Sequence, residues 1–273
     1  MEIVNAEGLD FLSNIDDNSI DLVLTDPPYI ISHKTGMDIH KSMVDNASGS
    51  PLKTDKEWIE YKKKCKNKLT TEHKENYLKY GSIYGKKYCV RTNYGEWDSE
   101  FTTDTLETFI KAYYAKLKKG GTLIIWFDLW KITTLKDIME RAKFKQIRMI
   151  EWIKTNPQPL NASVNYLTNC REIAIVGVKG GSPTFHSRMD RGVYEYPMAA
   201  GWYKFHSTQK NLQLFEELIR KHSNENDVVM DTFLGGGTTA IAACTQNRRF
   251  KGCEINKDFV DKTLQNVKAL QCP

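Results

Sequence analysis

Apolar residues in this chain follow two alternating spacings, and the alternation predicts its architecture. Ile20, Leu22, Val23 and Leu24 form a short apolar run, the pattern of a strand buried on both faces. Comparable runs lie at residues 122–127, 147–154 and 173–178. Between them the spacing becomes helical. Leu9, Leu12 and Ile15 share a face over residues 8–15, as do Leu106, Phe109, Ile110 and Tyr113 over 105–117. Residues 132–142 and 212–221 read as further helices. Lys118-Lys119-Gly120-Gly121 reads as a helix stop, with cations at the negative helix end. Towards the C-terminus, 227–231 reads as a strand, 232–239 as a glycine turn, 240–244 as a helix and 250–255 as another strand. Such alternation predicts an α/β fold with a doubly wound, mostly parallel sheet.

Composition narrows this little. The 273 residues are 40% hydrophobic, enough for a real core, and a net charge of +5 leaves local charge more telling than the total. No run of about 18 apolar residues predicts a membrane span, and the first residues do not read as a signal peptide. The six cysteines, at 65, 89, 170, 244, 253 and 272, contain no Cys-x-x-Cys pair. Neither a disulfide framework nor a metal site is expected, and a cytoplasmic location fits.

Candidate chemistry sits where the first strand stops. Asp26-Pro27-Pro28-Tyr29 removes two backbone donors and fixes two φ angles, so the strand cannot continue. A carboxylate, free carbonyls and an aromatic ring then meet at a strand's carboxyl end, where open α/β sheets bind ligands. Asp26 and the Pro27 carbonyl suit the N–H groups of an exocyclic amine, and Tyr29 offers a stacking surface. A base held so has left its helix. Alone, the motif is as well read as a proline-ended strand with a capping Asp and a packed Tyr.

The far end of the chain decides. Asp231 closes a strand; Phe233, Gly235, Gly236, Gly237 and Thr238 follow; Glu254 ends the next strand, close to the offset of about 20 at which nucleotide folds place an acid on ribose hydroxyls. The glycines let a ligand approach the backbone, and N–H groups at the helix start favour an anion. The dinucleotide pattern Gly-x-Gly-x-x-Gly is missing, which disfavours a nicotinamide dehydrogenase.

Together the two segments resemble the amino DNA methyltransferases that use S-adenosylmethionine. Asp26-Pro27-Pro28-Tyr29 resembles their catalytic motif and Phe233-Leu234-Gly235-Gly236-Gly237 their Phe-x-Gly-x-Gly cofactor motif. Catalytic motif first and cofactor motif last is the order of the β group. Asp at position 26 is typical of N6-adenine members, where N4-cytosine members usually carry Ser. The resemblance implies a three-layer sandwich around a seven-stranded, mostly parallel sheet in one domain, and methyl transfer to N6 of a flipped adenine. It also implies roles for Glu7 near the cofactor adenine and for Lys210, in a His206–Asn211 segment similar to the family's His-x-x-x-Lys-Pro element, at the cofactor carboxylate. Asn93–Asp98 is similar to the family's Trp-Asp element. Methylation of RNA adenine or of DNA cytosine at N4, and an inactive binding protein on the same scaffold, are the alternatives. A restriction endonuclease partner and a homodimer are open.

Two segments carry further expectations. Residues 33–93 read as an inserted basic and aromatic lobe. There Lys62, Lys63 and Lys64 sit on a helix capped by Thr54, among Trp58, Tyr61 and Tyr77, a combination that suits phosphates and bases. Residues 160–205 hold one strand and then a loop with Arg188, Arg191, Tyr194 and Tyr196; by resemblance this is the target-recognition region. Arg171 and Glu172 are expected to pair with each other.

Overall fold

The computed structural model describes residues 1–30, 51–65, 68–85, 101–157, 167–205 and 208–270. The chain divides into two compact units: Met1–Tyr29 with Thr102–Pro273, and Ile30–Phe101.

In chain order the larger unit runs β1 (Glu2–Asn5), α1 (Gly8–Ser13) and β2 (Ile20–Thr25). The smaller unit supplies α2 (Asp55–Lys64) and α3 (Thr71–Tyr80). The larger unit resumes with α4 (Thr103–Lys116), β3 (Leu117–Phe127), α5 (Ile132–Arg141), β4 (Lys145–Lys154), β5 (Arg171–Val178) and β6 (Val193–Tyr196). It closes with α6 (Leu212–His222), β7 (Val228–Asp231), α7 (Thr238–Thr245), β8 (Arg249–Glu254) and α8 (Lys257–Ala269).

The strands form one eight-stranded sheet in the order β1-β8-β7-β2-β3-β5-β4-β6. It has one strand more than the expected seven, because Val193–Tyr196 pairs with β4 at the edge instead of remaining loop. That puts Tyr194 and Tyr196 on a strand; Gly192 and a length of four residues hid it from the sequence. β5 is antiparallel to both of its neighbours while the other pairings are parallel, so β5 alone runs against the rest. Strand order reverses between β7 and β2, the switch point at which open α/β sheets form their ligand crevice.

The predicted central run is the centre of the core: Leu22, Val23 and Leu24 are wholly buried. Trp126 stacks on Phe215 of α6 at 6.1 Å and meets Trp152 edge-on at 6.3 Å. The glycine stop after α4 takes a different form. The helix ends at Lys116, and Lys118–Gly121 begins β3 irregularly. Gly120, at φ +85°, donates its N–H to the carbonyls of Lys179 and Gly180, so it serves the sheet and not the helix end. Helix α8 has no clean apolar stripe; Thr263 fills a wholly buried position on it. Cys65, Cys170 and Cys253 are free thiols, whereas Cys244 is disulfide-bonded. Among the described residues no helix is long and apolar enough to cross a membrane.

In the smaller unit, α2 and α3 each begin with a capping box, Thr54 with Glu57 and Thr70 with His73, and α3 stops at left-handed Gly81. Trp58 stacks on Tyr61 at 5.9 Å, and Tyr77 of α3 packs against both. These rings hold the two helices together and so do not form an open stacking platform. Lys62, Lys63 and Lys64 in the last turn of α2 are exposed.

Candidate active site

Seven strands end, and β5 begins, along one edge of the sheet, which gathers residues distant in sequence. Asp26 follows β2. One of its oxygens, Oδ2, lies 2.6 Å from the ammonium of Lys210, in the segment leading into α6. Lys210 reaches Glu172, the second residue of β5, at 2.8 Å, and Glu172 is paired in turn with Lys154 at the end of β4 at 2.6 Å. The Lys210 ammonium also lies over the rings of Tyr29 and Trp126, 5.6 and 5.8 Å from their centroids. Tyr29 is held edge-on by Phe127 at 5.9 Å and accepts from Lys210 at 3.5 Å. The other oxygen of Asp26, Oδ1, is buried and has no hydrogen-bond partner among the described residues. A buried acceptor without a donor is costly, so this atom marks a place for a ligand's N–H.

Burial pushes the Asp26 carboxyl above the ordinary carboxylate range, with Lys210 opposing and Glu172 adding to the rise. Burial also pushes Glu172 up, but Lys210 and Lys154 outweigh it and hold that carboxyl low. Burial disfavours the charge on Lys210, yet Asp26 and Glu172 keep it well above the ordinary lysine value. The Tyr29 hydroxyl is held neutral by burial and by Asp26.

The neighbouring glycine turn is braced from beneath. Asp231 accepts from Thr25 of β2 at 2.6 Å, from Thr239 of α7 at 2.6 Å and from the Phe233 N–H at 3.0 Å. It is buried, its pKa is lifted by burial to about 6, and its hydrogen bonds tie the two motifs together. Phe233 packs on Phe109 at 4.7 Å. Gly237 is left-handed at φ +78° and starts α7 with no side-chain cap, so the first N–H groups of the helix keep their capacity for a ligand anion. A Cβ on Gly236 would collide with Gln209 and one on Gly237 with Thr263, whereas the nearest atom to a Cβ on Gly235 lies 3.9 Å away. Space for a ligand therefore opens above Gly235. Its N–H donates to Glu254 at 2.8 Å, as does that of Asn256, and burial raises the Glu254 pKa. Thr238 is buried behind the turn, donating to the Lys210 carbonyl at 3.4 Å.

Asp26, Pro27, Tyr29, Lys210, the glycine turn and Glu254 thus share one edge of the sheet. Glu7 stands at the same edge, after β1, with its carboxylate capping α1 through the N–H groups of Leu9 and Asp10. Arg188 and Arg191 do not join them. Their loop is tied to the far end of α6, where Asp190 pairs with Lys221 at 2.6 Å and His186 donates its N–H to the Lys221 carbonyl. Arg171 and Glu172 do not pair with each other: Arg171 reaches Glu151 at 2.7 Å. Glu172 and Lys154 are site residues that the sequence reading missed. For Glu172 the signal was the direction of β5, since only a reversed strand presents its first residues at this edge; Lys154 closes β4. His206 and the Asn93–Asp98 element lie outside the described residues.

A family model described as DNA methylase, the N6/N4 methyltransferases, matches residues 20–265. The chain belongs to this family. Among the relatives of this DNA methylase are Type II methyltransferase M2.MboI of Moraxella bovis, 25% identical over 95% of the chain and 84% of the relative, and Type II methyltransferase M2.DpnII of Streptococcus pneumoniae, 24% identical over 98% and 90%. The fold is shared with the crystal structure of an M1.HpyAVI–SAM complex (TM-score 0.62, 21% identity, 97% of this chain and 98% of that one). It is shared equally with the cytosine-N4-specific PvuII DNA methyltransferase (TM-score 0.65, 15% identity, 98% and 89%). The fold is thus shared with a cytosine-N4-specific enzyme and does not by itself set the base.

Proposed function

We propose that this DNA methylase transfers a methyl group to the N6 amino group of an adenine flipped out of DNA. The observation that carries the reading is the bare, buried Oδ1 of Asp26, fixed beside Tyr29 at the sheet's switch point. The methyl donor is S-adenosylmethionine, which when bound supplies an electrophilic methyl group. The residues present fit it: the uncapped start of α7 and the open space above Gly235 take an anionic end, and Glu254 takes hydroxyls. Glu7 completes the proposed cofactor contacts, while the Lys210 ammonium is engaged by Asp26 and Glu172.

The amino nitrogen of adenine is a poor nucleophile because its lone pair is delocalised into the ring. Accepting its N–H bonds at Asp26 and at the Pro27 carbonyl favours the pyramidal nitrogen of the transition state. Tyr29, braced by Phe127, holds the ring in place, a proximity effect. Asp26, in place of the Ser usual in N4-cytosine members, favours adenine.

Incubating the protein with S-adenosylmethionine and duplex DNA, single-stranded DNA or RNA, then digesting to nucleosides, tests this directly. N6-methyl-2′-deoxyadenosine from DNA is the expected product. N4-methyl-2′-deoxycytidine, or product from RNA alone, would overturn the base or the substrate assignment.

DNA contacts outside the pocket are assigned to Lys62, Lys63 and Lys64, and target recognition to residues 160–205. Phosphate contacts release counterions, so replacing the three lysines by Ala should weaken DNA binding and flatten the slope of log affinity against log salt by about 0.9 per lost contact. Phosphates carry no sequence information, so the methylated sequence should not change. Affinity and slope both unaltered in filter binding at graded salt would leave the run a solvated helix face.

A further inference from the structure

Four charged side chains alternate in sign along the active edge, Asp26, Lys210, Glu172 and Lys154, from four different parts of the fold. The reaction described above uses Asp26 on the base and assigns nothing to Glu172 or Lys154.

We propose that Glu172 is a positioning residue for methyl transfer: backed by Lys154, it pins the Lys210 ammonium against one oxygen of Asp26 and leaves the other bare for the target amino group. This rests on the reading above only in requiring Asp26 to meet an amino group, whether on adenine or cytosine.

The geometry supplies the reason. A lysine reaches its partner through four flexible bonds, and a buried ammonium with a single carboxylate is free to sit between that group's two oxygens. Here a second carboxylate is ion-paired with the same ammonium, at 2.8 Å against 2.6 Å for Asp26, and holds it by charge between the two groups. Glu172 would itself be free to turn towards either lysine, but Lys154 takes its other oxygen. Lys154 is seated in its turn over the Trp152 ring at 5.4 Å, and the Trp152 indole N–H donates to the Tyr196 carbonyl at 2.9 Å, so the row is anchored in the β4–β6 edge. Opposite charges balance along the row, as buried ions require. Without Glu172, the Lys210 ammonium would keep Asp26 as its one carboxylate partner. Lys210 would then draw on both Asp26 oxygens and compete with the amino group for the acceptor.

The charges facing Asp26 are Lys210 from the segment before α6, Glu172 from β5, Tyr29 from its own loop and Asp231 from β7. Removing the negative charge of Glu172 eases ionisation of Asp26. An Asp26 that must be ionised to accept the amine then works to lower pH, while Asp231, which Glu172 does not contact, keeps its own titration.

The test measures transfer of labelled methyl from S-adenosylmethionine to DNA by the full chain, as a function of pH, in the wild type and in Glu172→Gln. The expected result is a kcat lower by roughly 10- to 100-fold, an acid limb moved to lower pH, and a calorimetric S-adenosylmethionine affinity changed less than about twofold. A purely structural ion pair would lower stability without moving the acid limb. Lys154→Gln, at the outer end of the row, should move kcat in the same direction by less, and it decides the matter if Glu172→Gln does not fold. Unchanged kcat and acid limb in the folded variant, or a loss confined to cofactor affinity, overturns the positioning role alone. A wild-type chain that transfers no methyl group to any DNA overturns the reading above and this inference with it.

Discussion

Asp26→Ala is expected to lower kcat by roughly 10²–10³-fold or more while S-adenosylmethionine binding stays within a few-fold. The carboxylate supplies the preorganised acceptor aimed at the amine as its N–H bonds polarise, and losing one such group in a water-poor site costs about that much. The fold should survive, because Lys210 keeps Glu172 as a partner. The same carboxyl sets a pH dependence. Burial raises its pKa, and the ionised form is the working acceptor, so activity is present above that raised pKa and falls as pH drops through it. Asp26→Asn should remove this limb along with most of the rate. Single-turnover methyl transfer with calorimetry on the same preparations checks each part. Full activity of Asp26→Ala would remove the residue from the chemistry.

Gly237→Val should abolish measurable cofactor binding and lower stability by roughly 2–4 kcal/mol. Two costs combine: φ +78° is a left-handed conformation that a β-branched residue resists, and the new Cβ would enter Thr263, a wholly buried side chain on α8. Gly235→Ala separates binding from stability. Gly235 is also left-handed, at φ +50°, but its Cβ would meet open space, so the stability cost is about 1 kcal/mol. Affinity for S-adenosylmethionine should nevertheless fall, because the methyl group stands where the ligand approaches the backbone. Thermal melts and calorimetry on the two variants measure these effects. Equal losses of affinity and stability at Gly235 would mean that the turn is only structural.

The central parallel strands β2, β3 and β7 were legible because they are buried on both faces and read as apolar runs. The glycine turn and the Asp-Pro-Pro-Tyr stop were legible because proline and glycine constrain the backbone locally. What stayed hidden depended on tertiary context. β6 is four residues long at an edge, and α8 buries a threonine where an apolar residue would have given a stripe. The Glu172–Lys210–Asp26 contact needed the direction of β5, which no local pattern encodes. Lys210 was expected at a cofactor carboxylate; its side chain here lies between two carboxylates of the protein, a partnership visible only once β2 and β5 end at the same edge. The aromatic spacing of α2 and α3 suits a surface for bases, yet spacing alone does not distinguish a surface ring from one packed on a neighbouring helix.

The pairing of β2 with β7 also sets a condition on how the enzyme comes into being. Thr25 and Asp231, joined by a 2.6 Å hydrogen bond, are 206 positions apart. During synthesis β2 can find β3 early, but its other edge has no partner until nearly the whole chain has emerged. Contacts of such long range close slowly, since the entropy of the intervening loop is lost before the contact is made. An unpaired apolar strand edge is meanwhile open to association with other chains. A prematurely terminated product would hold Asp26–Tyr29 without the glycine turn that Asp231 ties to it.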